Sequence, residues 1–242
     1  MCTVSVIAIQ GGFRLACNRD EQRSRPPALP PKVARFGERL AALPLDPAGG
    51  GTWVAASDAG LAFALLNANG TRARQAGRMS RGLVVPTLLG CDGLEAATSR
   101  ALKLNCRDFA PFRLLVVDAR ACAVLSWDGC DRDFELLPLA RPLMFTSSGL
   151  GDALVEPPRR RLFEEMVWAR PTPAAQNAFH RHRWPNRPHL SVHMSRPDAR
   201  TVSHTVVDVA PERVCLTYHA AAPDDHGPVE RVALEIPSSV PA

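Results

Sequence analysis

Residues 2–9 read Cys2-Thr3-Val4-Ser5-Val6-Ile7-Ala8-Ile9, residues 10–12 Gln10-Gly11-Gly12, and residues 13–21 Phe13-Arg14-Leu15-Ala16-Cys17-Asn18-Arg19-Asp20-Glu21. Two apolar, partly β-branched runs flank a glycine pair, the pattern of a β-hairpin. If the two glycines form a two-residue loop, Gln10 pairs with Phe13, which sets Cys2 opposite Glu21 and Val4 opposite Arg19. A three-residue loop shifts the register and sets Asp20 opposite Cys2, and a one-residue slip changes which face each side chain occupies. In either register Cys2 meets one or more of Arg19, Asp20 and Glu21.

Met1 precedes a small residue, the setting in which the initiator methionine is normally excised, so the mature chain is expected to begin at Cys2. One residue then carries a thiol and a free α-amino group. Their unperturbed pKa values are about 8.5 and about 7.7 to 8, so near neutral pH the amine can serve as general base for its own side chain. Arg19 would stabilise the thiolate and a carboxylate would orient the amine. The same residues also suit an ordinary buried thiol at a strand start, with a solvated charge cluster at the open end of the hairpin.

A chain of 242 residues, 46% of them hydrophobic, fills one substantial core, and no shift in composition divides it, so residues 1–242 are expected to form a single domain. The net charge of +5 comes from arginines interleaved with acidic residues, without an aromatic-basic stripe, which argues against nucleic-acid binding. The seven cysteines are scattered, odd in number and free of CxxC pairs, fitting reduced thiols in a cytoplasmic protein better than a disulfide framework or a zinc site. No stretch approaches the length and apolarity of a membrane span, and the N-terminus lacks an export signal. A soluble cytoplasmic chain is expected, with no metal.

Residues 24–34 (SRPPALPPKVA) are proline-rich and are expected to form an exposed loop over the mouth of the site. Residues 52–57 and 61–66 read as a second hairpin ending at Asn67, with a turn-rich exit over residues 67–71. Ser80 and Asp92 are candidate caps for two helices, the first interrupted by Pro86. Residues 112–118, 122–127, 133–137 and 142–147 suit short antiparallel strands, and Pro157-Pro158 is expected to open a further helix. His180, His182, His189 and His193 invite a metal reading, but neither their spacing nor a carboxylate supports it, and residues 180–200 read as a solvated loop. Residues 201–209, 213–219 and 229–235 close the chain as strands. Strands alternating with helices in this order suit an α+β fold of two packed antiparallel sheets with helices on the outer faces.

The N-terminal Met-Cys-Thr, the Asn18-Arg19-Asp20-Glu21 tetrad and Gly50-Gly51-Thr52-Trp53 together resemble the NRDE protein family, whose eukaryotic members are the transport and Golgi organisation 2 proteins. That family in turn resembles N-terminal-nucleophile hydrolases of the penicillin V acylase and bile salt hydrolase type. The resemblance implies a four-layer αββα sandwich and an amidase acting on a small-molecule amide, a non-peptide carbon-nitrogen bond, through a thioester on Cys2 and without a cofactor. It implies Arg19 and Asp20 as charged partners of Cys2, and Asn67 as an oxyanion donor. Related acylases carry a further asparagine in the region of residues 145–148, where this chain has serines, so Ser148 is the expected second donor to substrate. A late arginine maps to Arg200, and Trp53 stands in the third motif, which makes Trp53, Ser148 and Arg200 the expected substrate-binding residues. Glu21, Ser80 and Arg81 match family motifs without a chemistry that the sequence spells out. The alternative is a non-catalytic binding or trafficking protein of the same fold, handling haem or lipid.

Overall fold

The computed structural model describes residues 2–69 and 78–237; the exit turn read at residues 67–71 lies partly outside them. Strands β1 (Cys2–Ile9) and β2 (Gly12–Gln22) form the expected hairpin, but Cys2 faces Arg19 and Ile9 faces Gly12. The turn is Gln10-Gly11, a two-residue loop one residue earlier than the one read from the sequence, so neither register read there is the observed one. Only Gly11 adopts the left-handed turn conformation, with φ 74°. Gly12 belongs to the strand, where a Cβ would sit 1.9 Å from the Val209 carbonyl oxygen of the neighbouring chain segment. The second glycine therefore serves close strand packing, and that is why counting both as loop residues misplaced the register.

The chain then crosses to a second sheet: β3 (Leu29–Phe36), β4 (Arg39–Leu45), β5 (Val54–Ser57), β6 (Leu61–Asn67), β7 (Phe112–Val117), β8 (Ala121–Trp127) and β9 (Arg132–Pro138), paired in that order. It returns through β10 (Leu143–Thr146), β11 (Ala199–Ala210), β12 (Arg213–His219) and β13 (Val229–Glu235), giving a first sheet ordered β10-β1-β2-β11-β12-β13. All pairings between these strands are antiparallel.

The proline-rich stretch is not a loop throughout, since β3 starts at Leu29 and includes Pro30 and Pro31. It is the edge strand of its sheet, where missing N–H groups cost no ladder bond, and a register shift between Leu29 and Lys32 absorbs the prolines.

Among the described residues, three helices and several short turns cover the outer faces. After Ser80 the chain makes two separate 3-10 turns, Arg81–Leu83 and Val85–Leu88, and the Ser80 side chain caps neither. Helix α1 (Leu94–Leu102) follows Gly93, while Asp92 pairs with Arg39 at 2.8 Å instead of capping. Helix α2 (Asp152–Phe163) begins five residues before Pro157, so the two prolines lie inside it. The carbonyls they leave unpaired belong to Ala153 and Leu154 in the first turn, and the Leu154 side chain there is exposed. A π-helical turn, Glu164–Trp168, continues α2 before α3 (Pro173–Arg181).

Alternation along the strands divides the apolar residues among three interfaces, which makes four layers. Val4, Val6, Phe13 and Leu15 meet Val54, Leu66 and Leu115 between the sheets. Phe63 and Leu65 turn outward against Val84, Leu88 and Ala97. Ile7 and Met144 turn outward against Phe163, Val167 and Phe179. The segment read as a solvated loop belongs to this last layer: Leu190 to Met194 are buried, as are His180 and His193.

Candidate functional site

Cys2 begins β1 with its thiol directed between the sheets, into the floor of a cavity of about 460 Å³. Arg19, Trp53, Asn67, Asn69 and Arg81 are among the side chains around it. The strand end is fixed from the next chain segment over: the Cys2 N–H donates to Ser147 Oγ at 3.1 Å, and the Ser147 N–H returns a bond to the Cys2 carbonyl at 2.9 Å. Behind this seam Arg159, fully buried in α2, donates to Thr3 Oγ1 at 2.7 Å, Thr146 Oγ1 at 2.6 Å, and the Leu190 and Ser191 carbonyls at 3.0 and 2.6 Å. One guanidinium thus ties β1, β10 and the segment after α3 together on the far side of the sheet from the thiol.

Cys17 lies diagonally across β1 and β2 from Cys2, on the same inward face. The hydrogen bond between the two thiols pulls the Cys2 pKa down; burial opposes it, the charge of the amino terminus assists, the charge of Asp20 resists and Arg19 adds the smallest pull downward. Cys17 is driven well above its ordinary value by the same bond and by burial, so it is the partner that keeps its proton. Arg19, opposite Cys2, stacks over Trp53 with its guanidinium carbon 4.4 Å from the ring centroid. It also pairs with Glu21 at 3.2 Å and Asp46 at 3.5 Å, and Arg25 bonds the same Asp46 at 2.5 Å. Burial pushes the Asp46 carboxyl up, but the bond from Arg25 and the charges of both arginines hold it below its ordinary range.

Asp20 leaves the strand on the other face. Its Oδ1 accepts from Thr201 Oγ1 at 2.6 Å, and burial raises its pKa, with Arg159 the largest opposing charge. Asn67 ends β6 and lines the cavity, as does Trp53. Ser148 stays away from the cavity: its N–H donates to Asp152 at 2.8 Å, and its Oγ accepts from the Leu150 N–H at 3.2 Å. Arg200 is exposed and sits opposite Glu21 in the β2–β11 register, outside the cavity wall.

Of the expected site residues, Cys2, Arg19, Trp53 and Asn67 come together around one cavity, Asp20 lies behind them, and Ser148 and Arg200 lie apart. Sequence reasoning missed Cys17, Asp46, Ser147 and Arg159, which no local motif marks. It also left Arg81 without a role. The structure gives the Gly50–Trp53 motif one: a Cβ on Gly51 would lie 2.3 Å from the Gly82 carbonyl group, and the Thr52 N–H donates to the Gly82 carbonyl at 3.0 Å. That glycine contact seats the Arg81 turn against the cavity. The histidines do not converge on a metal: His180 bonds Ser5 and Asn18, His193 bonds Arg183, and no group of three or more potential ligands gathers among the described residues.

The family model for transport and Golgi organisation 2 matches residues 1–157. The chain belongs to that family. No curated protein matches it. Solved structures of N-terminal-nucleophile hydrolases share its fold at low identity. Penicillin V acylase from Agrobacterium tumefaciens superposes with a TM-score of 0.56 at 14% identity, over 96% of this chain and 86% of that one. The Caenorhabditis elegans ortholog of N-acylethanolamine-hydrolyzing acid amidase gives 0.55 at 12%, over 85% and 92%. The C2A mutant of conjugated bile acid hydrolase from Clostridium perfringens gives 0.55 at 12%, over 96% and 92%. This member of the transport and Golgi organisation 2 family therefore has the N-terminal-nucleophile hydrolase fold, and among its described residues no helix is long and apolar enough to cross a membrane.

Proposed function

We propose that the protein is an N-terminal cysteine hydrolase of small-molecule amides. With Met1 removed, the α-amino group of Cys2 takes the thiol proton and the thiolate attacks the amide carbonyl carbon. The carbonyl oxygen becomes an oxyanion, which Asn67 meets with its side-chain N–H; a donor of this kind is commonly worth about 3 kcal/mol of barrier. The α-ammonium then protonates the departing amine as the carbon-nitrogen bond breaks, leaving a thioester on Cys2. Water, deprotonated by the same amine, releases the acid and restores the thiol. Arg19 favours the thiolate, and the carboxylate of Asp20 orients the amine.

The observation that carries this reading is a buried thiol at the floor of a polar cavity, lowered in pKa by a neighbouring thiol donor and faced by Arg19 and Asn67. Incubation of the untagged protein with a panel of N-acyl amides, followed by peptide mass spectrometry, tests it. An acyl adduct on Cys2 is expected; adducts absent, or on other cysteines only, would overturn it. The placement of Ser148, which withholds a second oxyanion donor, favours a non-catalytic carrier of haem or lipid. Weighing against that carrier are Arg19, Glu21, Arg25, Asp46 and Arg81 on the wall, since a porphyrin or an acyl chain calls for apolar lining. Seven free thiols suit a reducing compartment, in keeping with a cytoplasmic location.

A further inference from the structure

The charges on the cavity wall do not cancel. Arg19 and Arg25 form a closed ring of ion pairs with Glu21 and Asp46, each arginine meeting both carboxylates within 3.5 Å. Two cations and two anions leave that ring neutral. Arg81, on the same wall, joins no ion pair among the described residues; its Nη1 donates to the Pro111 carbonyl at 3.0 Å, and that is the one acceptor it meets there. The guanidinium is half-buried, and it is held in place by that carbonyl and by the packing of Gly51 on Gly82. A fixed, partly desolvated guanidinium with unspent N–H donors facing a cavity is built to receive a planar anion in two parallel bonds.

We infer that Arg81 binds a carboxylate of the substrate, so that the amides taken by this cavity are anionic. The inference deepens the amide-hydrolase reading and rests on it. The charge of Glu21 also reaches Arg81, without pairing with it, and so does that of Cys2, so the rival use of the same guanidinium is to stabilise the Cys2 thiolate. The two uses separate kinetically. An anchor for the substrate anion acts on KM and only for substrates carrying the anion, whereas a thiolate partner acts on kcat for every amide alike.

The carboxylate can sit on the amine side or the acyl side of the scissile bond, and two substrate pairs distinguish these: N-hexanoylglycine against N-hexanoylglycinamide, and N-hexylglutaramic acid against its neutral carboxamide. For the wild-type protein kcat/KM should favour the acid of one pair by about tenfold or more, the value of a charged hydrogen-bonded contact. In Arg81→Gln that ratio should fall to about one, through KM, and Arg81→Lys should retain part of it. Equal kcat/KM within both pairs for wild type, or an R81Q protein slowed on acid and amide alike with the ratio unchanged, overturns the inference. If neither pair is turned over, thermal melts with the same compounds decide. Stabilisation of wild type by an acid but not by its amide, lost in R81Q, upholds the anion site while the hydrolase reading falls; absence of that selectivity sinks the anion site itself.

Discussion

Along β2 successive side chains of the Asn18–Glu21 tetrad leave on opposite faces, and the two faces satisfy their polar groups in different ways. On the cavity face Arg19 and Glu21 belong to a ring of ion pairs beside open space, with charge opposed to charge. On the helix face Asn18 is fully buried in a neutral network: its Nδ2 donates to the carbonyls of His180 and Val192 at 2.9 and 3.1 Å. Its Oδ1 must then be the acceptor, meeting His180 Nδ1 at 3.1 Å and His204 Nδ1 at 2.8 Å, which places the proton of each ring on Nδ1. His180 Nε2 is left to accept from Ser5 Oγ at 2.7 Å. Four consecutive residues thus line the cavity on one side of the sheet and dock the helix layer on the other, and under the proposed function variants on the two faces should fail in different assays.

The largest effect belongs to the cavity face. Cys2→Ala should abolish acyl-adduct formation while the protein melts within a few degrees of wild type, since the residue ends a strand and loses one sulfur. The intact mass of untagged protein should lack Met1, because an acylated amine cannot serve as the base; retention of Met1 sinks the mechanism whatever the fold. On the helix face the order of effects reverses. Arg159→Leu should cost about 3 to 5 kcal/mol of stability, read by denaturant unfolding, because two threonine hydroxyls and two carbonyls lose their buried donor. A loss under 1 kcal/mol would mean that those groups find water or each other.

The neutral network predicts a pH dependence. Burial, with the charges of Arg14 and Arg159 behind it, depresses the His180 pKa from 6.5 to about 3. The stability its neutral form contributes is therefore complete above pH 6.5, where the unfolded chain is also neutral, and is lost as pH falls from 6.5 toward 3, where only the unfolded state takes up the proton. At pH 4.5 the penalty depends on the unfolded value alone and comes to about 2 to 3 kcal/mol. Comparing wild type with His180→Gln at pH 7 and 4.5 isolates it: the variant is less stable at pH 7 and should lose less on acidification. Parallel loss in both proteins would mean that His180 titrates normally.

Asp20 tests the division directly, since its side chain points to the helix face while its charge reaches Cys2. In Asp20→Asn the Thr201 hydroxyl keeps an acceptor and Arg159 keeps its four, so the melting temperature should stay close to wild type while adduct formation drops by about tenfold or more, the amine having lost its carboxylate. A large fall in melting temperature, with the remaining folded protein reacting normally, would assign Asp20 to architecture alone.

What the sequence made legible follows from the same two faces. Strand alternation and turn glycines mark the sheets, so two antiparallel sheets with outer helices could be read from residue order, and the Cys2 to Arg19 neighbourhood from one hairpin. Register failed because Gly12 looks like a turn residue and is one of close packing. The helix-face polar network was unreadable for another reason: His180, His193 and Ser191 are polar residues that become buried only through partners more than 100 positions away or on the neighbouring segment, such as Ser5 and Asn18, so composition alone described them as solvated. Arg159 stands in the sequence as one of three consecutive arginines and Asp46 a few residues before Gly49-Gly50, and nothing local announces the long-range partners of either.

The smallest effect is the most specific to the cavity face. Cys2 and Cys17 share one inward surface and one hydrogen bond, and that bond assigns them opposite fates: the first is pulled toward thiolate and the second held as thiol. Iodoacetamide at neutral pH should therefore label Cys2 well before Cys17, and the pH profile of Cys2 labelling gives its apparent pKa. Cys17→Ala removes the donor and should move that profile upward. Cys17→Ser keeps a donor of similar reach and should leave the profile near wild type. Both variants unpack the core by similar small amounts, so a loss of packing would move melting temperature in the two alike without separating their profiles. If serine and alanine shift the Cys2 profile equally, Cys17 is filler between the sheets, and the lowered thiol rests on the charges of the amino terminus and Arg19.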